Sequence, residues 1–157
     1  MSKRLILIRH AHRNTDEPGK DNGLSDKGNE QVKRLLKFAS DRLDDTDPMF
    51  ISSPKKRCQE TLGPIAKMTD HKMEIDERLT EHGPSESTPL YLARIDEFLD
   101  HWKFECPDTT VVSSHGDWIP IAVQRLTGAK IGLKKAGWVE IEYAGGECFL
   151  TWIVQKV

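Results

Sequence analysis

Apolar and polar stretches alternate along this chain in a way that predicts strands and helices in turn. Residues 4–9 (RLILIR) are a short branched-rich run suited to a strand buried on both faces. A polar loop with Pro18, Gly19 and Gly23 follows. Ser25 then stands as the N-cap of a helix whose Val32, Leu35, Leu36, Ala39 and Leu43 share one face. Residues 49–53 (MFISS) read as a second buried strand ended by Pro54, and 55–68 as a helix interrupted at Gly63-Pro64. Residues 72–76 (KMEID) form a short third strand. Residues 87–102 predict an amphipathic helix that buries Leu90, Ile95, Phe98, Leu99 and Trp102. TTVVSS (109–114) is a fourth strand, and a further helix begins at Trp118. The tail alternates around Gly145-Gly146 and reads as a β-hairpin.

This order predicts an α/β three-layer sandwich, with a mostly parallel central sheet and an antiparallel C-terminal hairpin. No linker, repeat or low-complexity tract interrupts it, so residues 1–157 are expected to be a single domain. Hydrophobic residues make up 37% and charged residues 31%, as in ordinary globular proteins, and the net charge of −2 gives no reason to expect nucleic acid as a partner. No apolar run is long enough for a bilayer, and the start lacks a signal-peptide pattern. Cys58, Cys106 and Cys148, odd in number and scattered, read as reduced thiols, so the expected location is cytoplasmic. The sequence is compatible with a monomer or a dimer.

Candidate chemistry gathers at predicted strand ends. Arg9-His10 and His115 fall just past two parallel strands, and Ser53-Pro54 ends another shortly before Arg57. In open α/β sheets that carboxyl edge is where ligands bind. Ser113, Ser114 and Gly116 around His115 allow close backbone approach. Each piece alone has a plainer reading, such as a solvated helix face for the KKR run at Arg57.

Taken together, Arg9-His10-Ala11, Leu24-Ser25 with Gly28, Ser52-Ser53-Pro54 with Arg57 and Gln59-Glu60-Thr61, Leu79-Thr80-Glu81, and Ser114-His115-Gly116 resemble the histidine phosphatase superfamily. Within it they are similar to the small SixA-like phosphohistidine phosphatases. The resemblance implies a phosphoglycerate mutase-like fold and a metal-independent phosphatase without a cofactor. Its substrate would be phosphohistidine on a protein or a small phosphorylated metabolite. It also implies roles. His10 would attack phosphorus as a neutral imidazole, its tautomer fixed by an acceptor on the other nitrogen. Arg9 and Arg57 would hold phosphate oxygens by forked donors, and His115 would add another donor, preferably as the imidazolium. Glu81 would be the acid and later the base. Asn14, Asp16 and Gly116 would contact substrate.

Departures qualify the match. Ala11 replaces the usual glycine, His12-Arg13 adds charge near the mouth, and Glu60 displaces Thr61 by one position. Relatives of the SixA type often lack an acid at the place of Glu81, so hydrolysis of phosphomonoesters stays open. The short stretch after Glu81 argues against a closed lid and hence against a mutase. Two other readings compete: a metal-dependent phosphohydrolase using His10, His12, His115 and Asp117, and a non-catalytic phospho-ligand binder. Asp117 is otherwise expected at a helix N-terminus, Trp118 in packing or lining the pocket, and Cys58 as a point of oxidation sensitivity.

Overall fold

The computed structural model describes residues 2–157. Its elements run β1 (Ser2–Arg9), α1 (Asp26–Arg42), β2 (Met49–Ser52), α2 (Lys56–Met68), β3 (Met73–Ile75), a 3₁₀ turn (Glu77–Leu79), α3 (Thr88–Glu105), β4 (Thr109–Ser114), α4 (Trp118–Thr127), β5 (Trp138–Ala144) and β6 (Glu147–Val154). The six strands form one sheet in the order β3-β2-β4-β1-β5-β6. β1, β2, β3 and β4 pair in parallel, whereas β5 and β6 are antiparallel to their neighbours. The expected α/β sandwich is therefore the observed one. Among the described residues no helix is long and apolar enough to cross a membrane.

β1 lies between β4 and β5, which explains why its sequence is apolar at every position from Leu5 to Ile8. Side-chain alternation sends Leu5 and Leu7 to one face, against Val112, Val139 and helices α3 and α4. Ile6 and Ile8 go to the other, against Phe50, Val111, Trp138 and helices α1 and α2. Ser25 caps α1 as expected, its hydroxyl accepting from the Gly28 amide at 3.1 Å. Gly145 and Gly146, at φ 61° and 80°, make the tight turn between β5 and β6.

Two local expectations are corrected. Helix α2 continues through Gly63-Pro64 to Met68. An interior proline costs ~3 kcal/mol, but Leu62 and Ile65 on either side are fully buried, each worth ~1.5–3 kcal/mol. Packing outweighs the missing amide. Leu90 lies in the first turn of α3 and is 65% exposed, while Tyr91 is buried beside Ile95, Phe98, Leu99 and Trp102. The inward stripe holds at the other four positions, and Tyr91 rather than Leu90 begins it, because position 91 lies one helical turn before Ile95 and position 90 falls outside that face.

Register places the chemistry. Arg9 pairs with Ser114 and Ser52 with Ser113, so β1, β2 and β4 end side by side. The next amides keep the alignment: His10 N donates to Ser114 O at 3.1 Å and Ser53 N to Ser113 O at 3.0 Å. His10, Ser53 and His115 thus emerge together at the carboxyl edge.

Candidate active site

Arg9, His10, Arg57, Glu81, His115 and Gly116 line one cavity of about 400 Å3, with Arg13, Thr15, Asp117 and Lys135 completing its wall. All five residues expected to do the chemistry meet here, and so does Gly116. Asn14 and Asp16 do not. The Asn14 side chain accepts from the Asp16 amide at 2.9 Å, and both line a neighbouring depression instead.

His10 is buried, and its Nδ1 lies 2.8 Å from its neighbour's carbonyl, Ala11 O. A carbonyl can only accept, so Nδ1 carries the hydrogen and Nε2 keeps the lone pair. The Ala11 peptide is itself held, because Ala11 N donates to Thr61 Oγ1 at 2.9 Å and Thr61 Oγ1 donates to Arg57 O at 2.7 Å. Thr61 reaches this place despite the one-residue displacement in its motif. Burial pushes the His10 imidazole down to about 3, with His115, Arg57 and Arg9 adding like-charge repulsion. His10 is neutral at physiological pH.

His115 is also neutral. Burial, then the Arg57 charge, lowers it to about 3. This differs from the preferred imidazolium: desolvation and the Arg57 charge outweigh the acidic groups beside the ring, Asp117 and Glu81. Ser53 Oγ sits 2.9 Å from His115 Nε2, and His115 Nδ1 lies 3.3 Å from Glu81 Oε2 and 3.4 Å from Arg57 Nη2. The two imidazole centroids are 5.5 Å apart. These shifts link the site to stability. The unfolded chain takes up both protons near 6.5 and the folded chain only near 3. Their stabilising effect is complete above pH 6.5 and is lost as pH falls toward 3. The unfolding free energy from urea titrations should fall as pH is lowered from 6 to 4, by up to about 3 kcal/mol per pH unit from the pair, and His10→Gln should remove about half of that slope. An unchanged slope would mean the imidazoles are solvated.

Arg57 is 4% exposed, donates through Nη2 to Glu81, and keeps a buried Nε without a partner. Arg9 donates through Nη1 to Leu133 O at 2.7 Å and likewise has an unpartnered buried Nε. Burial lowers the Arg9 guanidinium, opposed by Asp117. Unsatisfied cationic donors around a concave site are what an anion would fill. Gly116 gives Arg9 its place: a Cβ there would lie 2.5 Å from Arg9 Cζ. Gly116→Ala should therefore displace the guanidinium and lower kcat/KM about 10- to 100-fold with the fold intact; kinetics and far-UV circular dichroism check this together.

Glu81 hangs from an irregular segment that α3 fastens. Arg94 Nη1 donates to Arg78 O at 2.8 Å and Thr80 O at 2.6 Å, and Nη2 to Glu81 O at 2.8 Å. The Arg94 bond to Glu86 holds that carboxyl down at about 2, so the clamp is charged throughout the useful pH range. Glu81 Oε1 faces Lys55 Nζ at 3.9 Å.

The structure also places the remaining candidates. The Asp117 carboxylate does not bond an amide of α4; it accepts from His82 N at 2.9 Å. Trp118 is fully buried, donating to Arg78 O at 2.8 Å, and stays out of the cavity. Cys58 Sγ lies 3.6 Å from His115 Nε2, but it is fully buried and burial pushes its thiol up to about 12. A protonated, inaccessible thiol is a poor oxidation target. The metal reading lacks its ligand set. His12 Nδ1 is 2.7 Å from Ser25 Oγ, and among the described residues no three His, Cys, Asp or Glu side chains gather as metal ligands.

Lys135 was not foreseen. It lies in the irregular stretch before β5, where a Lys-Lys pair reads as solvated surface. Ala136 N donates to Arg9 O at 3.1 Å and Gly137 O accepts from Arg9 N at 3.1 Å, which docks the stretch against the site. No local periodicity signals that docking.

Comparison with known proteins agrees with this arrangement. The family model for the histidine phosphatase superfamily (branch 1) matches residues 5–86, just over half of the chain. No curated protein sequence matches. Among solved structures, mycobacterial hydrolase 1 superposes with a TM-score of 0.82 at 17% identity, covering 99% of this chain and 100% of that one. A mycobacterial glucosyl-3-phosphoglycerate phosphatase with VO3 gives 0.77 at 17% identity, over 96% and 98%. Phosphoserine phosphatase from Entamoeba histolytica with 3-phosphoglyceric acid gives 0.76 at 22% identity, over 96% of each chain. At these identities the superpositions speak for the fold. The family match, with the motif residues gathered at the carboxyl edge of that fold, establishes that this chain belongs to branch 1 of the histidine phosphatase superfamily and is, by that membership, a phosphatase.

Proposed function

We propose that this phosphatase hydrolyses small phosphomonoesters through a covalent phosphohistidine at His10, without a metal. The observation that carries the reading is the His10 Nδ1 contact with Ala11 O at 2.8 Å, which leaves a neutral Nε2 in a cavity shared with Arg9 and Arg57. Nε2 attacks phosphorus, the ester P–O bond breaks, and the departing alkoxide takes the Glu81 carboxyl proton. Water then attacks the phosphohistidine while Glu81 accepts its proton. The N–P bond breaks, its electron pair returns to Nε2, and phosphate leaves. Arg9 and Arg57 stabilise the equatorial oxygens, and the His115 Nδ1–H joins them when Glu81 turns from it to the leaving group. A bound dianion would also draw a proton onto His115, supplying the charge that the free site lacks.

Glu81 favours an ester over a phosphoramidate, because an alkoxide needs a proton more than a departing imidazole does. Phosphatases of glucosyl-3-phosphoglycerate and of phosphoserine share the fold, which fits a small phosphorylated metabolite. Phosphohistidine on a protein is the second reading. The stretch from Glu81 to the start of α3 carries no covering insertion that would keep a protein side chain out. We further infer a single domain over residues 1–157, with both core clusters built on one sheet.

p-Nitrophenyl phosphate and a phosphohistidine protein, assayed in parallel with EDTA and with vanadate, test this. EDTA-resistant, vanadate-inhibited turnover with the ester preferred is the expected result. Loss of activity to EDTA would overturn the mechanism in favour of a metal hydrolase.

A further inference from the structure

Next to the catalytic cavity lies a second one of about 340 Å3, and its lining is strongly cationic. Lys27 and Arg34 project from one face of α1, Lys134 and Lys135 come from the stretch before β5, and Lys156 follows β6, with His12 at the boundary. Lys135 lines both cavities, so they share a wall. No Asp or Glu side chain lines the second cavity, although the chain has 25 of them and a net charge of −2. Among the described residues, none of these five Lys and Arg side chains, and neither Arg9 nor Arg13 beside them, forms an ion pair.

Cations brought together from three separate parts of the chain repel one another and weaken the fold. Lys135 registers the crowding: burial, and then Arg9, Lys27 and Arg13, lower its ammonium. An interspersed carboxylate would relieve this at no cost to packing. A concave surface lined by five cationic side chains and no acidic one, with Gln31, Gln155 and Val157 also in the wall, concentrates positive potential where an anion can enter.

We propose that this cavity is a second anion subsite, and that the preferred substrate is a small molecule with two phosphoryl groups, one at His10 and the other among Lys27, Arg34, Lys134 and Lys156. The inference rests on the phosphomonoesterase reading above and specifies its substrate class. Lys135, on the shared wall, reaches toward both phosphates. The basic subsite takes no part in bond breaking. It contributes binding through charge-assisted contacts, each partner of the phosphate being a strong donor.

The test measures binding by calorimetry, separately from turnover. Propane and hexane bisphosphonates, which carry an unhydrolysable P–C bond at each end, are compared with propylphosphonate on the wild-type protein. At least one bisphosphonate should bind about tenfold tighter than the monophosphonate. In Lys27→Gln/Lys156→Gln and in Arg34→Gln/Lys156→Gln, each checked for folding by circular dichroism, that advantage should fall to about onefold. Because the readout is a ratio, a general loss of binding at His10 lowers both ligands and does not imitate the result. Equal binding of one and two phosphonates in the wild type would overturn the subsite, and so would an advantage that survives in both variants. Two equivalents of propylphosphonate bound with no bisphosphonate advantage would also overturn it, by showing a free-anion site unconnected to substrate. Failure of p-nitrophenyl phosphate hydrolysis would sink the phosphatase mechanism alone, since the binding ratio judges the subsite independently.

Discussion

His10→Ala is expected to abolish turnover, lowering kcat by roughly 10^4-fold or more, as removal of the proposed covalent nucleophile would. The effect is expected to be this large because no other side chain in the cavity can take over. His115 is buried and neutral too, but its Nε2 faces Ser53 Oγ at 2.9 Å and its Nδ1 faces Glu81 and Arg57. Neither nitrogen is a free nucleophile. Rapid quenching of the wild type with radiolabelled substrate should trap protein-bound phosphate that survives alkali and is released by acid, as a phosphoramidate is. The His10→Ala protein should trap none. Substantial residual turnover in the variant, or an acid-stable label in the wild type, would rule out His10 as the nucleophile.

Arg57→Ala is expected to have the second largest effect, lowering kcat by about 10^2- to 10^3-fold and raising KM as well. The arginine is buried at 4% exposure, touches both Glu81 and His115, and has a buried Nε with no partner in the free site. Its charge acts where water is excluded, so it acts at close to full strength on charge that develops on phosphate. It also steers Glu81, which would lose its principal anchor. Arg57→Lys should recover little, because one ammonium cannot meet two oxygens and the Glu81 carboxylate together. Steady-state kinetics on p-nitrophenyl phosphate decides the matter. A raised KM at unchanged kcat would show that Arg57 only holds the ground state.

The elements that were readable from the chain are those in which local pattern and packing agree. β4 matches at both ends because Val111-Val112, flanked by small hydroxyl side chains, can be buried whichever way each residue points. The helix runs through Pro64 against local expectation, because proline's local penalty is visible in sequence and the burial of Leu62 and Ile65 is not. Among site residues, Arg9, His10, Arg57, Glu81, His115 and Gly116 were legible because each sits in a short motif at a strand end or in the helix or turn just after one. Asn14 and Asp16 line the neighbouring depression, a placement that loop residues without periodicity do not signal, and the Asn14 side chain there accepts from the Asp16 amide.

Composition, periodicity and motif order by themselves determine the fold class, the family and the candidates for the reacting groups. These depend on residue type and on short-range spacing, which the linear chain carries in full. The charge state of the groups does not. His10 and His115 are neutral because the fold removes them from water and sets arginines beside them, and His10 presents Nε2 because its neighbour's carbonyl occupies the other nitrogen. Lys135 and the basic cavity exist only where α1, the stretch before β5 and the end of β6 converge. Desolvation, tautomer and convergence are properties of space around a side chain, and only the tertiary structure supplies that space.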